Sequence, residues 1–208
     1  MAAMDYDITQ MTPHRREASE HMTSVGKKLF QYVEFDEDEQ LVSEVRKHPI
    51  GVIFSIVSGT FVTIVIVVTS IVLAINTDKL NLGDYDTRSA RGIILLVGLL
   101  LTVLCLVATY ITTFVYRSSV LFITTDKIAE VSYKSLFNRK ITQLGIGNVE
   151  DVSYEQIGIF SRIFHYGTLM VQTAGAKDNS IFPFVPDPNK NTQLIIKMHE
   201  NYVEKFGN

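Results

Sequence analysis

Two stretches of the chain hold no charged residue at all, Ile50 to Ile75 and Gly92 to Tyr116, 26 and 25 residues long. As helices rising about 1.5 Å per residue, each would cover about 38 Å, more than the roughly 30 Å hydrocarbon core of a bilayer. The first contains seventeen Ile, Val, Leu or Phe residues, which favour insertion by at most about 5 to 10 kcal/mol. Strands run about 4 to 8 residues, so a buried strand does not account for a run of this length. The pattern predicts two transmembrane helices, 50–75 and 92–116, with the first acting as a signal anchor.

After Tyr116 the pattern changes to period two. Ala129, Val131 and Tyr133 alternate with Glu130, Ser132 and Lys134; Val152 and Tyr154 alternate with Asp151, Ser153 and Glu155; Leu169 and Val171 alternate with Met170 and Gln172. Such alternation predicts half-buried antiparallel strands, here near 118–125, 127–134, 138–144, 148–156, 167–174 and 179–184. Thr125-Asp126, Phe137-Asn138, Gly145 to Gly147 and Gly175 to Asn179 supply the turns. The last element has helical period: Asp187 as N-cap, Pro188 at the first position, and Leu194, Ile195, Met198, Tyr202 and Phe206 on one stripe. Lys197, His199, Glu200, Glu204 and Lys205 are expected to face water.

Ahead of the first apolar stretch, residues 1–33 show no sustained period and read as a disordered or mobile tail. The acidic run from Glu34 to Glu39 leads into LVSEVRKHP, which reads as a short amphipathic helix with its acidic residues at the positive end of the dipole. The run lacks the Asp-x-Asp-x-Asp-Gly loop with a distal Glu that calcium requires. The chain thus divides into a tail (1–33), an acidic lead-in with two transmembrane helices (34–116), and a cytoplasmic domain (117–208). Lys and Arg set the orientation: Arg46, Lys47, Arg117, Lys127 and Lys134 flank the outer ends of the spans, against Lys79, Arg88 and Arg91 between them. Both termini are therefore expected in the cytoplasm of a protein of the cell membrane.

Within the spans, Gly51, Ser55, Gly59 and Thr63 recur every four residues, and Gly98, Thr102, Cys105, Thr109 and Thr112 every three or four. Small residues let helix backbones approach closely, so these faces are expected to pack as a hairpin or in a homo-oligomer. No ionisable residue lies inside either span, which leaves a proton or ion pathway without its usual groups.

The net charge of −3 argues against a nucleic-acid binder working through bulk charge, and the lone Cys105 excludes a disulfide framework. Ser161 and His165 stand four apart without a nucleophile elbow, and IFSRIFHYG reads as a segment that buries Ile163 and Phe164. His14, His21, His48, His165 and His199 share no metal-ligand spacing, and Gly145 and Gly147 lack the rest of a dinucleotide fingerprint. A non-catalytic protein without cofactor or metal is expected.

The stretch FITTDKIAEVSYKSLFNRKITQLGIGNVEDVSYEQIGIFSRIFHYGTLMVQTAG resembles the bacterial pleckstrin-homology (PH)-like domain of small membrane proteins. The matching positions are Thr124, Lys127-Ile128, Arg139-Lys140, Val149 to Val152 with Gln156, and Arg162 to Gly167, and the likeness covers roughly 117–206. It implies an α+β membrane protein: a two-helix transmembrane hairpin followed by a PH-like split β-barrel of near-orthogonal sheets with a C-terminal capping helix. Six strands are counted where that fold has seven, and His165-Tyr166 stands where a glycine is common. The resemblance also implies a membrane-anchored binding or scaffolding module for a protein partner or a second copy. The alternative is an accessory subunit of a transport or envelope-stress system. Eukaryotic relatives in fold hold inositol phosphates on a basic cluster, and the corresponding residues are Lys127, Lys134, Arg139 and Lys140. Asp126 and Glu130 lie among them, so this rim reads as a solvated positive face with at most weak attraction for anionic lipid.

Overall fold

The computed structural model describes residues 22–33, 36, 39–79, 86–174 and 180–207. They fall into two compact units, one spanning Pro49–Tyr116 and one made of the residues up to His48 together with those from Arg117 onward. The expected tail over 1–21, part of the acidic run, the turn between the apolar helices over 80–85 and the turn at 175–179 lie outside the described residues.

The apolar unit consists of α2 (Ile50–Ile75) and α3 (Thr87–Arg117), both long and apolar enough to cross a membrane. Helix α3 starts five residues before the predicted span because Asp86 caps it. The Ser89 amide donates to Asp86 Oδ2 at 3.2 Å and the Ala90 amide to the Asp86 carbonyl at 3.0 Å, which satisfies first-turn N–H groups that would otherwise be orphaned.

The other unit contains two antiparallel sheets and two main helices. The chain order is α1 (Ser24–Phe30), β1 (Leu41–Arg46), then, after the apolar unit, β2 (Val120–Thr124), β3 (Lys127–Tyr133), β4 (Arg139–Gly145), β5 (Val149–Glu155), the short helix α4 (Ile159–Ile163), β6 (Tyr166–Thr173), β7 (Ser180–Pro186) and α5 (Pro188–Phe206). One sheet has the order β1-β2-β3-β4 and the other β5-β6-β7. The six predicted strands are present within two residues at each end.

The seventh strand comes from before the apolar helices. LVSEVR was expected to be helical, but it forms β1, paired with β2 through Ser43 and Ile123, Val45 and Leu121, and Arg46 and Val120. Leu41 and Val45 are four apart, a spacing that fits a helix and a strand equally, and only the available partner decides between them. A register shift between Leu41 and Ser43 turns the strand over. Leu41 therefore packs on one face of the sheet with Phe122 and Val131, and Val45 on the other with Leu121 and Ile128.

Both faces of this sheet are covered. Val45, Leu121, Ile123 and Ile128 join Ile146, Leu169, Val171, Phe182, Val185 and Ile195 in the main core between the two sheets and α5. On the opposite face Val120, Phe122, Ala129 and Val131 meet Met22, Leu29, Phe30 and Val33. Residues 22–33 are thus no mobile tail. Thr23 caps α1 by accepting from the Gly26 amide, and Glu44 of β1 accepts from the Thr23 amide at 2.9 Å, tying the helix to the sheet. All five residues of β2 are buried, which explains why VLFIT reads as a continuous apolar run instead of an alternation.

Helix α5 begins where expected but not as expected. Asp187 lies in the left-handed region with φ 41° and makes no side-chain cap. Its amide donates to the His165 carbonyl at 2.8 Å, and His165 itself has φ 52°. Left-handed geometry costs roughly 1 to 2 kcal/mol for a non-glycine residue, and Asp and His are among those that tolerate it best. A histidine can therefore stand in this turn, where a glycine was expected. His199 is only partly exposed: its Nδ1 lies 2.8 Å from the Ile146 carbonyl, which can only accept, so the proton sits on Nδ1.

These contacts make β1 part of the domain fold. Joining residue 48 to residue 117 through a short Gly-Ser linker should give a soluble domain with a cooperative thermal transition. The chain 117–208 alone leaves β2 as a bare edge and should aggregate or melt without cooperativity. Circular dichroism melts and gel filtration compare the two, and equal behaviour would refute a structural role for β1.

Candidate binding surface

The four cations of the expected basic rim do not converge. Lys127 opens β3 and pairs in register with Gly145, while Lys134, Arg139 and Lys140 lie at the other end of the β3–β4 hairpin, where Tyr133 pairs with Arg139. At about 3.3 Å per residue the length of β3 separates the two groups by about 20 Å.

Lys127 is engaged. Its Nζ lies 2.9 Å from Glu39 Oε2 and 3.7 Å from Asp36 Oδ2, and its side chain is 15% exposed where that of Glu39 is 0%. Thr124 Oγ1 lies 2.5 Å from Glu39 Oε1, and because a carboxylate only accepts, the hydroxyl donates there. The same oxygen accepts from the Lys127 amide at 2.9 Å. The Thr125 amide donates to the Gln40 carbonyl and the Gln40 amide to Thr125 Oγ1. Together these bonds fasten the end of the acidic run to the β2–β3 turn. The Thr and Lys noted in the sequence as a shared pattern thus form the receiving half of a buried ion pair.

Arg139 and Lys140 leave β4 on opposite faces. The Arg139 guanidinium lies 3.5 Å over the Tyr32 ring, a cation–π contact on the α1 side. Lys140 pairs in register with Ser132 on the face that carries Glu130. Lys134 is exposed at the hairpin tip.

Glu130 faces Lys47 beside a cavity of about 20 Å³, which is lined also by Ser119, Val120, Phe182 and Val185 and holds no more than one water. Burial pushes the Glu130 carboxyl above its ordinary value of 4.5, against the pull of Lys47, a Ser132 hydrogen bond and Lys140. Burial likewise lowers the Lys47 ammonium, partly offset by Glu130. Ser119 Oγ, buried at the same place, has no hydrogen-bond partner among the described residues. His48 follows, stacked on Tyr166 at 5.4 Å, with its amide donating to the Phe184 carbonyl. Burial lowers its imidazole, with Asp187 opposing.

The segment IFSRIFHYG does the reverse of what its composition suggested. Ser161 is buried and donates to the Gly158 carbonyl at 2.7 Å, and Gln156 Nε2 donates to the carbonyls of Ser161 and Tyr166. Ile163 and Phe164, expected inside, are exposed. With its hydroxyl committed to a carbonyl, Ser161 is not poised as a nucleophile. No group of three or more His, Cys, Asp or Glu suited to a metal ion occurs among the described residues.

In the apolar unit the small residues lie between the two helices. Gly51 faces the Tyr116 ring, Gly59 faces Thr109 and Gly98 faces Ser70, each so closely that a Cβ would overlap its neighbour. The Thr63 hydroxyl reaches Cys105 Sγ at 3.5 Å. Ser55 and Thr63 return their protons to the carbonyls of Gly51 and Gly59. Thr102 is half-buried on the same face of α3 as Gly98 and Cys105.

The family model described as Bacterial PH domain matches residues 50–195. Among solved structures, the chain is similar to a DUF1696 family protein with a pleckstrin-homology domain from Shewanella loihica PV-4, at 12% identity and a TM-score of 0.33, over 39% of this chain and 70% of that one. No curated protein matches the chain.

Breaking a buried pair from one side leaves its partner uncompensated. Glu39→Ala should therefore destabilise the protein by about 3 to 5 kcal/mol, and adding Lys127→Leu should restore a good part of that. Urea titration of both variants measures it, and an unchanged midpoint in Glu39→Ala would show that the pair contributes nothing. A second expectation concerns pH. A carboxyl whose folded pKa is raised contributes stability that is complete below its ordinary 4.5 and is lost as pH rises through the folded value. The stability of the protein relative to Glu130→Gln should accordingly grow as pH falls from 7 toward 4.5, and a constant difference would place Glu130 in solvent.

Proposed function

The chain belongs to the bacterial PH domain family, and from that premise we propose that it is a membrane-anchored, non-catalytic binding or scaffolding module of the cell membrane. In this reading α2 and α3 cross the bilayer as a hairpin, the two sheets close as a split barrel capped by α5, and both termini lie in the cytoplasm. The observation that carries it is the place of the hairpin in the chain. The domain is left at Arg46 and re-entered at Val120, two residues paired across one ladder. Only Lys47 to Pro49 and Ser118 to Ser119 connect strands to helices, so the domain and the anchor are joined twice, each time through two or three residues.

The ligand in this reading is a protein partner or a second copy. The four cations do not gather into one polyanion site, because Lys127 pairs with Glu39 at the far end of β3 from the other three. The alternative, an accessory subunit of a larger membrane assembly, is favoured by one feature: an apolar groove of about 390 Å³ along α2 and α3, lined by Ile66, Thr69, Leu73, Ile94, Val97 and Leu101. Helices of a polytopic partner pack in such grooves.

Two measurements test the reading. In a Cys105→Ser background, Lys79→Cys should react with an impermeant thiol reagent on intact cells and Glu150→Cys only after lysis; the reverse pattern would overturn the topology. Purification in mild detergent should yield a single-species oligomer or a complex with a cytoplasmic protein. A stoichiometric polytopic partner would favour the accessory subunit.

A further inference from the structure

The end of the domain from which the chain departs into α2 carries two apolar protrusions. The ladder fixes where the first one lies. Arg46 pairs with Val120 and Val120 with Val131, so the β3–β4 tip runs on past the points of departure and return. On that tip Phe137 is 97% exposed and Leu136 is exposed beside it. The tip closes on itself: the amides of Lys134 and Ser135 donate to the Asn138 carbonyl, and the Asn138 amide donates to Ser135 Oγ. The second protrusion is the β5–β6 loop. It ends at Tyr166, on which His48 stacks, and two residues of chain, at most about 7 Å, separate His48 from the first residue of α2. There Ile157 is 80% exposed and Ile159 75%, with Ile163 also exposed, while Ser161 and Gln156 satisfy the loop's carbonyls from inside.

Each protrusion thus closes through hydrogen bonds of its own and turns apolar side chains outward, the inverse of a loop built for water. Neither contains a carboxylate: residues 134–140 hold Lys134, Arg139 and Lys140, and residues 156–166 hold Arg162. Apolar tips flanked by cations match a bilayer interface, whose acyl boundary takes the apolar groups and whose anionic headgroups take the charge.

We propose that this end of the domain is a lipid-docking face, with the 134–140 tip and the 157–164 loop seated in the interfacial layer of an anionic membrane. The inference rests on the reading of α2 and α3 as membrane spans. It differs from a headgroup-binding pocket in that affinity lies in the apolar tips and the cations only assist.

The test uses the full chain in a Cys105→Ser background, reconstituted in vesicles of equal parts phosphatidylcholine and phosphatidylglycerol. Single cysteines at Phe137→Cys, Ile159→Cys, Glu150→Cys and Val57→Cys carry an environment-sensitive fluorophore. The probes at 137 and 159 should shift to the blue and lose emission to lipids bearing a nitroxide near the headgroup, the probe at 150 should report water, and the probe at 57 should be quenched by a nitroxide deep in the acyl chain. Deep quenching at 57 with water-like emission at 137 and 159 would overturn the docking face and leave the spans standing. Absence of quenching at 57 would overturn the spans and the docking face together. Shielding at 137 and 159 that lipid nitroxides do not touch, and that vanishes as protein is diluted in lipid, would overturn the proposal in favour of a contact between copies.

Discussion

The pairing of β1 with β2 is the constraint on which the rest of the domain depends. β2 is buried on both faces and, without β1, would also be an edge strand with its backbone donors and acceptors bare. Its partner lies on the far side of the whole apolar insertion, so Val45 reaches Leu121 only if the chain turns back on itself in between. Closing a long flexible loop costs entropy that grows with its length. Here the insertion closes itself, since Gly51 at the start of α2 faces Tyr116 near the end of α3. The small-residue face within the helix pair and the strand ladder within the domain therefore favour the same closure, and neither has to bear its entropy alone.

The acidic lead-in serves that closure too. Burying Glu39 fully is costly for a carboxylate, and the cost is offset because Lys127, Thr124 Oγ1 and the Asp36 amide all converge on it. The ion pair pins the start of β1 to the β2–β3 turn, while Arg46 and Val120 hold the other end of the same ladder. A cation that looks like part of a ligand-binding rim is thus an internal strut. What remains of the rim lies at the β3–β4 tip, where Arg139 stacks over Tyr32 and Lys140 faces Glu130, so its cations do not converge on one point.

Much of this was legible in the residues. The two apolar helices follow from length, β3, β5 and β6 from alternation and the last helix from its stripe, while the other strands are marked by the turn residues between them. The misreadings share a cause. LVSEVR is six residues with apolar groups at a spacing common to helix and strand, so its state is set by β2, far away in sequence. Residues 22–33 look polar because few of them, Met22, Val25, Leu29, Phe30 and Val33, pack toward the sheet, and no periodic pattern shows in a helix of seven residues. Lys127 was read as free because charge composition does not show which anion a cation meets. A signal was present: the last residue of the acidic run, Glu39, stands just ahead of LVSEVR, and Lys127 stands just past the end of VLFIT, the strand that pairs with it.

IFSRIFHYG was the most instructive error, since in most soluble domains Ile and Phe at such spacing are interior groups. Here the interior of the loop is taken by Ser161 and the Gln156 amide, which answer the carbonyls of a turn too tight to answer its own. Once those polar groups occupy the inside, the apolar ones have nowhere to go but outward. An arrangement of that kind is unfavourable against water, by about 25 cal/mol for each Å² of apolar surface left exposed. It loses that penalty only where the surface meets something apolar. The chain leaves β1 for α2 through Lys47 to Pro49 and returns to β2 through Ser118 and Ser119. On the proposed docking face that apolar medium is the acyl boundary of the bilayer, where the outward Ile and Phe side chains would no longer meet water.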